Sequence, residues 1–197
     1  MATNYNPFSL EGKTILVTGA SSGIGQATAI ECSKMGAQLV ITGRNPERLQ
    51  DTMNQLEGEG HSVVVADLAT TEGVEMLAEQ APILDGLVNN AGYGELGPME
   101  TTSLEDAQRQ LDVNVIGLAR MTKLVLPHMR KQGSGRIVNV ASIAGRITFS
   151  FAGYIALFIV AVFMFLRFFN PVMLSAPSTT FSKSVGIVKL LAVANIH

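Results

Sequence analysis

The sequence predicts an α/β fold in which helices cover both faces of a doubly wound parallel sheet. Five short apolar runs rich in β-branched residues alternate with longer stretches of helical pattern. Glycine-bearing joints separate the runs from the helices, and no internal repeat or low-complexity segment competes with this interpretation. The chain of 197 residues suits one domain with a substantial core.

The predicted strands are continuous apolar runs, which is typical of strands buried on both faces of a parallel sheet. In chain order they are residues 14–17, 39–42, 63–66, 86–89 and 136–140. The helical patterns between and after them cover residues 23–35, 46–57, 71–80 and 104–131. Pro46 is tolerated in the first turn of its helix, and Asn45 before it is a suitable N-cap.

Composition excludes several classes of function. A net charge of −2 and a pI near 5.9 give no electrostatic signature of a nucleic-acid partner. A single cysteine, Cys32, excludes an internal disulfide and favours a reducing compartment, so we expect a cytoplasmic protein. The three histidines lie far apart without metal-ligand spacing, so no metal site is predicted. The N-terminal residues lack the basic and apolar regions of a secretory signal.

The first predicted turn carries the strongest functional signal. Its sequence, TGASSGIG at residues 18–25, follows the first strand and opens the first helix. Gly19 allows a tight turn, Gly23 lets the backbone approach a pyrophosphate, and Gly25 lets the helix pack closely on the sheet. Amide N–H groups at the start of a helix attract phosphate. This context favours a dinucleotide site over a purely structural turn.

Several further motifs at matching distances show that the chain resembles the short-chain dehydrogenase/reductase family over about residues 10–154. Besides the turn, they are Asp67 in VVVADL, NNAG at residues 89–92, Asn114 in LDVNVIG, Ser142 in NVASIAG, and Tyr154 twelve residues later. The resemblance implies a Rossmann-type fold and looks closest to 3-oxoacyl-carrier-protein reductases and related ketoreductases. We therefore expect a dinucleotide-binding domain over residues 1–154.

The resemblance also implies which residues form the site. It places cofactor contacts on Thr18, Gly19, Ser21, Ser22, Gly23, Ile24, Gly25, Arg44, Asp67, Leu68, Asn89, Ala91, Gly92 and Tyr154. It further implies that Tyr154 donates a proton, that Ser142 holds the carbonyl oxygen, and that Asn114 supports a water in the proton relay. The implied substrate is a small carbonyl compound or an acyl thioester, which exchanges hydride with a nicotinamide. A complete fold of this family implies a homo-oligomer.

The end of the second predicted strand indicates which cofactor is preferred. An acidic residue there accepts a hydrogen bond from the ribose 2′-OH of NAD, whereas a nearby arginine accommodates the 2′-phosphate of NADP. Here Gly43 stands where the acid would be, and Arg44 follows it. This arrangement favours NADP(H) over NAD(H). If Arg44 is only a solvated surface charge, the preference stays open.

The chain departs from the family pattern at one position that matters for catalysis. The family has a lysine four residues after the tyrosine, and this chain has Phe158. A phenol has an ordinary pKa of about 10, so a tyrosine without a neighbouring cation is a poor acid–base catalyst at neutral pH. We therefore expect activity to be greatly reduced or absent. The alternative to an oxidoreductase is a catalytically inactive dinucleotide-binding or truncated product.

Residues 155–197 form an atypical apolar tail where the family has its C-terminal substrate lobe. All sixteen acidic residues lie at or before Asp112, and residues 147–166 carry no charge. Three explanations stay open: an altered reading frame, a membrane span over residues 147–166, and a divergent interface helix in a dimer. Residues 172–175 and 185–193 are two candidates for a sixth strand.

Overall fold

A computed structural model describes residues 6–95, 97, 100–142 and 191–196, the last of these by their backbone alone. Within these residues there are six strands, namely β1 (Thr14–Thr18), β2 (Gln38–Gly43), β3 (Ser62–Val65), β4 (Gly86–Asn89), β5 (Gly135–Val140) and β6 (Leu191–Ile196). The same residues contain five α-helices, namely α1 (Gly23–Lys34), α2 (Pro46–Met53), α3 (Thr71–Gln80), α4 (Leu104–Leu111) and α5 (Leu118–Lys131).

The strands form one sheet in the order β3-β2-β1-β4-β5-β6. β1 to β5 are all parallel, and β6 pairs with β5 in the antiparallel direction. The chain runs outward from β1 through β2 and β3, then returns to the other side of β1 for β4 and β5. This confirms the predicted doubly wound parallel sheet. It also creates a crevice between β1 and β4, where folds of this kind bind ligands.

Two separate apolar layers form the core, one on each face of the sheet. Along β1, Ile15 and Val17 face the first layer and Leu16 faces the second, as the period of two in a strand requires. The first layer packs the strands against Ala29 of α1 and Leu49 of α2. The second packs them against α3 and α5, through the buried side chains Val74, Leu77, Met121, Val125 and Met129. Burial on both faces explains why the strands are continuous apolar runs.

Side-chain caps fix the starts of three helices. Asn45 Oδ1 accepts a hydrogen bond from the Arg48 N–H at 2.7 Å, which confirms the predicted cap of α2. Thr70 Oγ1 accepts from the Gly73 N–H at 3.0 Å, and Ser103 Oγ accepts from the Asp106 N–H at 3.0 Å. These bonds satisfy amide donors that a helix cannot pair internally.

Two predicted helices differ in the structure. α2 ends at Met53 rather than at residue 57, because Gln55 and Leu56 make i→i+3 bonds that tighten the chain into a turn. The helix expected over residues 104–131 is interrupted by one π-helical segment, Asp112–Gly117. Gly117 packs so closely on the Leu68 carbonyl oxygen that a Cβ at this position would collide with it. The π-helical segment widens the backbone at this contact. Because the contact depends on the tertiary fold, the helical pattern of the sequence did not predict it.

Part of the tail prediction can be compared with the structure. β6 begins at Leu191, so it overlaps only the end of the candidate strand 185–193. The candidate at 172–175 and the uncharged stretch 147–166 lie outside the described residues. Within the described ranges, no helix has the length and apolar character needed to cross a membrane.

The cap of α3 allows a test of the fold. Thr70→Ala removes the Oγ1 acceptor for Gly73, and we expect it to lower the free energy of unfolding by about 0.5–2 kcal/mol. Urea unfolding followed by circular dichroism measures this value. Thr71→Ala is the matched control, because Thr71 is exposed at the first helical position and α3 is capped by its neighbour. Equal losses in the two variants would contradict the capping role of Thr70.

Candidate functional site

The predicted site residues follow the carboxyl ends of neighbouring strands. Because β1 to β5 are parallel, these ends meet at one edge of the sheet. The glycine turn follows β1, Arg44 follows β2, Asp67 and Leu68 follow β3, the NNAG segment ends β4, and Ser142 follows β5. The fold therefore brings these segments to the same side of the molecule. Tyr154 lies outside the described residues.

The turn between β1 and α1 has the backbone of an anion-binding loop. Gly19 and Gly23 have positive φ angles of 67° and 56°, which other residues adopt only with strain. Ser22 occupies the N-cap position in an extended conformation, and its side chain makes no capping bond. The first amides of α1 are thus left without the side-chain acceptor that caps α2, α3 and α4. They are available to a phosphate group, which the positive end of the helix dipole also favours.

Glycine is required in this turn because the turn itself and the segment after β4 leave no room for a side chain. A Cβ on Gly19 would come within 2.8 Å of the Ala91 Cα. A Cβ on Gly25 would collide with the Gly19 carbonyl and with the side-chain Nδ2 of Asn90. The turn is therefore pressed against the end of β4, as the predicted role of Gly25 in close packing requires.

Thr18 joins the ends of β1 and β4 by hydrogen bonds. Its buried hydroxyl donates to the Val88 carbonyl at 3.2 Å and accepts from the N–H groups of Asn90 and Ala91 at 2.9 and 3.0 Å. The Asn90 side chain donates from Nδ2 to the carbonyl oxygens of Thr18 at 3.0 Å and Gly19 at 3.3 Å. Asn90 was missed in the sequence analysis, although it belongs to the NNAG motif. Its role here is to hold the glycine turn in place.

Asn89, the first residue of the NNAG motif, makes its side-chain bonds away from the glycine turn. It is buried, and its Nδ2 donates to Thr122 Oγ1 at 3.1 Å and to Asn139 Oδ1 at 2.9 Å. These bonds join β4 to α5 and β5. The buried side chain of Asn89 therefore stabilises the site by joining β4 to the elements packed beside it.

Asn114 lies in the π-helical segment and is held by the loop after β4. Its Nδ2 donates to the Tyr93 carbonyl at 2.7 Å, and its Oδ1 accepts from the Tyr93 N–H at 3.0 Å. Gly92 lies directly beside it, because a Cβ there would be 3.0 Å from Asn114 Oδ1. The side-chain amide therefore fixes the loop that follows NNAG. The π-helical segment contains the residue to which the family resemblance gives a catalytic role.

Asp67 is held by two hydrogen bonds after the end of β3. Its Oδ1 accepts from the Ala69 N–H at 3.0 Å, and its Oδ2 accepts from Arg109 Nη2 at 2.7 Å. Burial acts to raise the pKa of Asp67, but these two bonds and the charges of Arg109 and Arg44 outweigh it, so the net pKa is lowered. The carboxylate is therefore ionised at neutral pH. Arg109 was not singled out in the sequence, since it lies 42 residues from its partner.

No cluster of three or more His, Cys, Asp or Glu side chains that could hold a metal ion is found within the described ranges. Cys32 is half-buried within α1, and burial raises the pKa of its thiol. The described part of the site thus consists of backbone amides, glycines, amide and hydroxyl side chains, and the Asp67–Arg109 pair.

Comparisons with known proteins agree with this geometry. A family model described as short chain dehydrogenase matches residues 13–156. The NADP-dependent 3-hydroxy acid dehydrogenase of Schizosaccharomyces pombe is 40% identical over 147 residues, which are 70% of this chain and 56% of that protein. The chain spans between 50% and 61% of the length of the curated relatives of this group.

Solved structures are similar over more of the chain. L-Sorbose reductase from Gluconobacter frateurii, complexed with NADPH and L-sorbose, has a TM-score of 0.76 at 30% identity, covering 85% of this chain and 66% of that one. A protein provisionally described as a betaketoacyl-ACP reductase has a TM-score of 0.78 at 30% identity, covering 91% of this chain and 82% of that one.

The bonds of Thr18 provide a stability test with a matched control. Thr18→Val leaves the N–H groups of Asn90 and Ala91 without their acceptor, so we expect the free energy of unfolding to fall by at least about 2 kcal/mol. Thr42 lies opposite Thr18 in the sheet and is equally buried, but its hydroxyl has no hydrogen-bond partner in the described part of the chain. Thr42→Val should therefore be neutral or stabilising. Chemical denaturation measures the free energy of unfolding of both variants. A similar decrease in both would contradict the assigned role of Thr18.

Proposed function

The chain belongs to the short-chain dehydrogenase family of NAD(P)-dependent oxidoreductases, and we propose that it binds NADP(H) for hydride exchange with a carbonyl or alcohol substrate. The proposed binding site is the carboxyl edge of the sheet, across the crevice between β1 and β4.

The observation that carries this proposal is the glycine turn before α1. The positive φ angles of Gly19 and Gly23 and the amides of α1 without a side-chain cap fit the pyrophosphate of a dinucleotide. Ser21, Ser22 and Ile24 would line the same turn. Ala91 and Gly92 would bound the crevice from the β4 side, where the backbone already touches the turn. Asp67 and Leu68 would face the adenine, as the family resemblance implies.

The preference for NADP(H) rests on Arg44. This residue is exposed directly after β2, and Gly43 before it contributes no carboxylate that would repel a phosphate. Gly43 lies opposite Val65 in the sheet, so Arg44 follows β2 at the same edge where Asp67 follows β3, and its charge helps to lower the pKa of Asp67. A guanidinium binds phosphate oxygens in a bidentate manner. The relatives that are named or solved with NADP or NADPH support the same preference.

The proposed chemistry assigns one task to each of three residues. When bound, the cofactor supplies or accepts hydride at its nicotinamide ring. The hydroxyl of Ser142, which lies exposed two residues after β5, would donate a hydrogen bond to the substrate oxygen. The phenol of Tyr154 would give that oxygen its proton. Asn114 would support the relay from the π-helical segment. The preferred substrate class is a ketone or an acyl thioester.

A second candidate function follows from Phe158. In the family pattern a lysine at this position lowers the pKa of the tyrosine and holds the nicotinamide ribose, and a phenyl ring can do neither. The second proposal is therefore a dinucleotide-binding protein with little or no turnover. It keeps the contacts proposed above for residues 18–92, but it lacks the lysine's hold on the nicotinamide ribose and the proton-transfer step.

Cofactor preference is tested by Arg44→Asp. We expect the Kd for NADPH to rise at least about tenfold, while the Kd for NADH changes less than about threefold, because only the 2′-phosphate loses a cationic partner. Quenching or enhancement of nucleotide fluorescence measures both constants. Arg130→Asp, at the exposed end of α5, is the control for the change of charge. Equal losses for the two nucleotides would contradict the assignment of Arg44.

The catalytic part is tested by Phe158→Lys. If the rest of the site is assembled, the new cation should raise the turnover of a panel of ketones and acyl thioesters by at least about 100-fold. Phe158→Met is the control for removing the ring without adding a charge. Measurable turnover in the wild-type protein supports the oxidoreductase, whereas turnover only in Phe158→Lys supports the second candidate. No turnover in either protein, with NADPH still bound, would contradict the oxidoreductase proposal.

A further inference from the structure

The ion pair between Asp67 and Arg109 connects two parts of the molecule that are distant in sequence. Arg109 lies in the last turn of α4, and its Nη2 reaches Oδ2 of Asp67 beyond the end of β3 at 2.7 Å. Both side chains stay partly accessible, with 43% of Arg109 and 32% of Asp67 exposed. A pair this exposed contributes little to stability, so its main effect is on the position of the groups it joins.

Arg109 is not needed to attach α4 to the rest of the fold. Ala107 and Gln110 of the same helix are buried, and Gln110 Oε1 accepts a hydrogen bond from the Glu95 N–H. Ser103 caps the start of the helix. The helix is thus anchored through its other face, while Arg109 extends toward the edge of the sheet where the site lies.

The two bonds to Asp67 fix the direction of its carboxylate. Ala69 N–H holds Oδ1, and Arg109 holds Oδ2, so rotation of the group would break one bond or both. An ionised carboxylate offers about four acceptor positions, and only two are used by these donors. The remaining positions can accept from a ligand on the exposed side. Because the carboxylate has no proton to donate, it favours a ligand that presents an N–H or O–H donor.

We propose that Arg109 is a positioning residue for adenine recognition, which holds the Asp67 carboxylate so that it accepts from the exocyclic amine of the cofactor's adenine. This inference rests on the proposed function, since it concerns the same nucleotide site. Adenine presents an N–H donor at that position, whereas hypoxanthine presents a carbonyl oxygen, which a carboxylate repels. The ratio of affinities for the two nucleotides therefore reports on the placement of Asp67.

The test compares NADPH with its reduced hypoxanthine analogue on the full chain. We expect the wild-type protein to bind NADPH at least tenfold more tightly than the analogue. Arg109→Gln should reduce this ratio to about threefold or less, mainly by weakening the binding of NADPH. Asp67→Asn should abolish the discrimination, since an amide can rotate to either donate or accept. Arg130→Gln is the control, because it removes a guanidinium from the exposed end of α5.

A second measurement separates positioning from a general structural role. The carbon-13 resonance of the Asp67 carboxyl, followed over acid pH, should show a higher pKa in Arg109→Gln than in the wild type. Arg109→Lys should keep part of the lowered pKa and part of the discrimination, because it retains the charge without the planar guanidinium.

Each outcome has a distinct meaning. An unchanged affinity ratio in Arg109→Gln, or an equal loss of both nucleotides, would overturn the inference and leave the proposed function standing. A wild-type protein that binds neither nucleotide would contradict the proposed function itself, and the inference with it. A lower ratio, with a raised pKa of Asp67 and an unchanged Arg130→Gln control, would support both.

Discussion

The contact between the ends of β1 and β4 is the constraint on which the rest of the site depends. The chain turns outward in opposite directions from these two strands, so a crevice must open between them. The hydroxyl of Thr18 and the amide of Asn90 tie the two ends together across 72 residues of sequence. With the ends fixed, the glycine turn lies against the β4 backbone and the first amides of α1 face outward. The polar bonds at this junction thus fix the geometry of the site. The apolar layers on the two faces of the sheet support that geometry.

The elements that could be predicted from the sequence are those that depend on residues close together in the chain. Continuous apolar runs predicted the five parallel strands, and the TGASSGIG turn predicted where α1 begins. Asn45 predicted a helix cap because capping involves only neighbouring residues. The π-helical segment could not be predicted, since it depends on how Gly117 meets a carbonyl of another segment. The contacts of Asn90 and Arg109 were missed for the same reason, because their partners lie 72 and 42 residues away.

The proposed site divides into a part that would bind the cofactor and a part that would react, and the two differ in how the chain provides them. The binding part consists of backbone amides, glycines and the strand ends of residues 14–92, held by many mutual bonds. The proposed reacting part would draw on Asn114 and Ser142 within the described residues and on Tyr154 outside them. A change such as Phe158 in place of lysine therefore affects proton transfer while the binding geometry keeps its own supports. This separation makes a protein that binds a dinucleotide without turning it over physically reasonable.

The two apolar layers share the sheet but not their side chains. Alternation along β1 sends Ile15 and Val17 to one layer and Leu16 to the other, and each layer has its own pair of helices. Substitutions far apart and without common partners act additively on stability. The layer formed with α1 and α2 can therefore be repacked by mutation while the layer beneath α3 and α5 stays intact. The fold can accumulate sequence change on one side of the sheet without compensating change on the other.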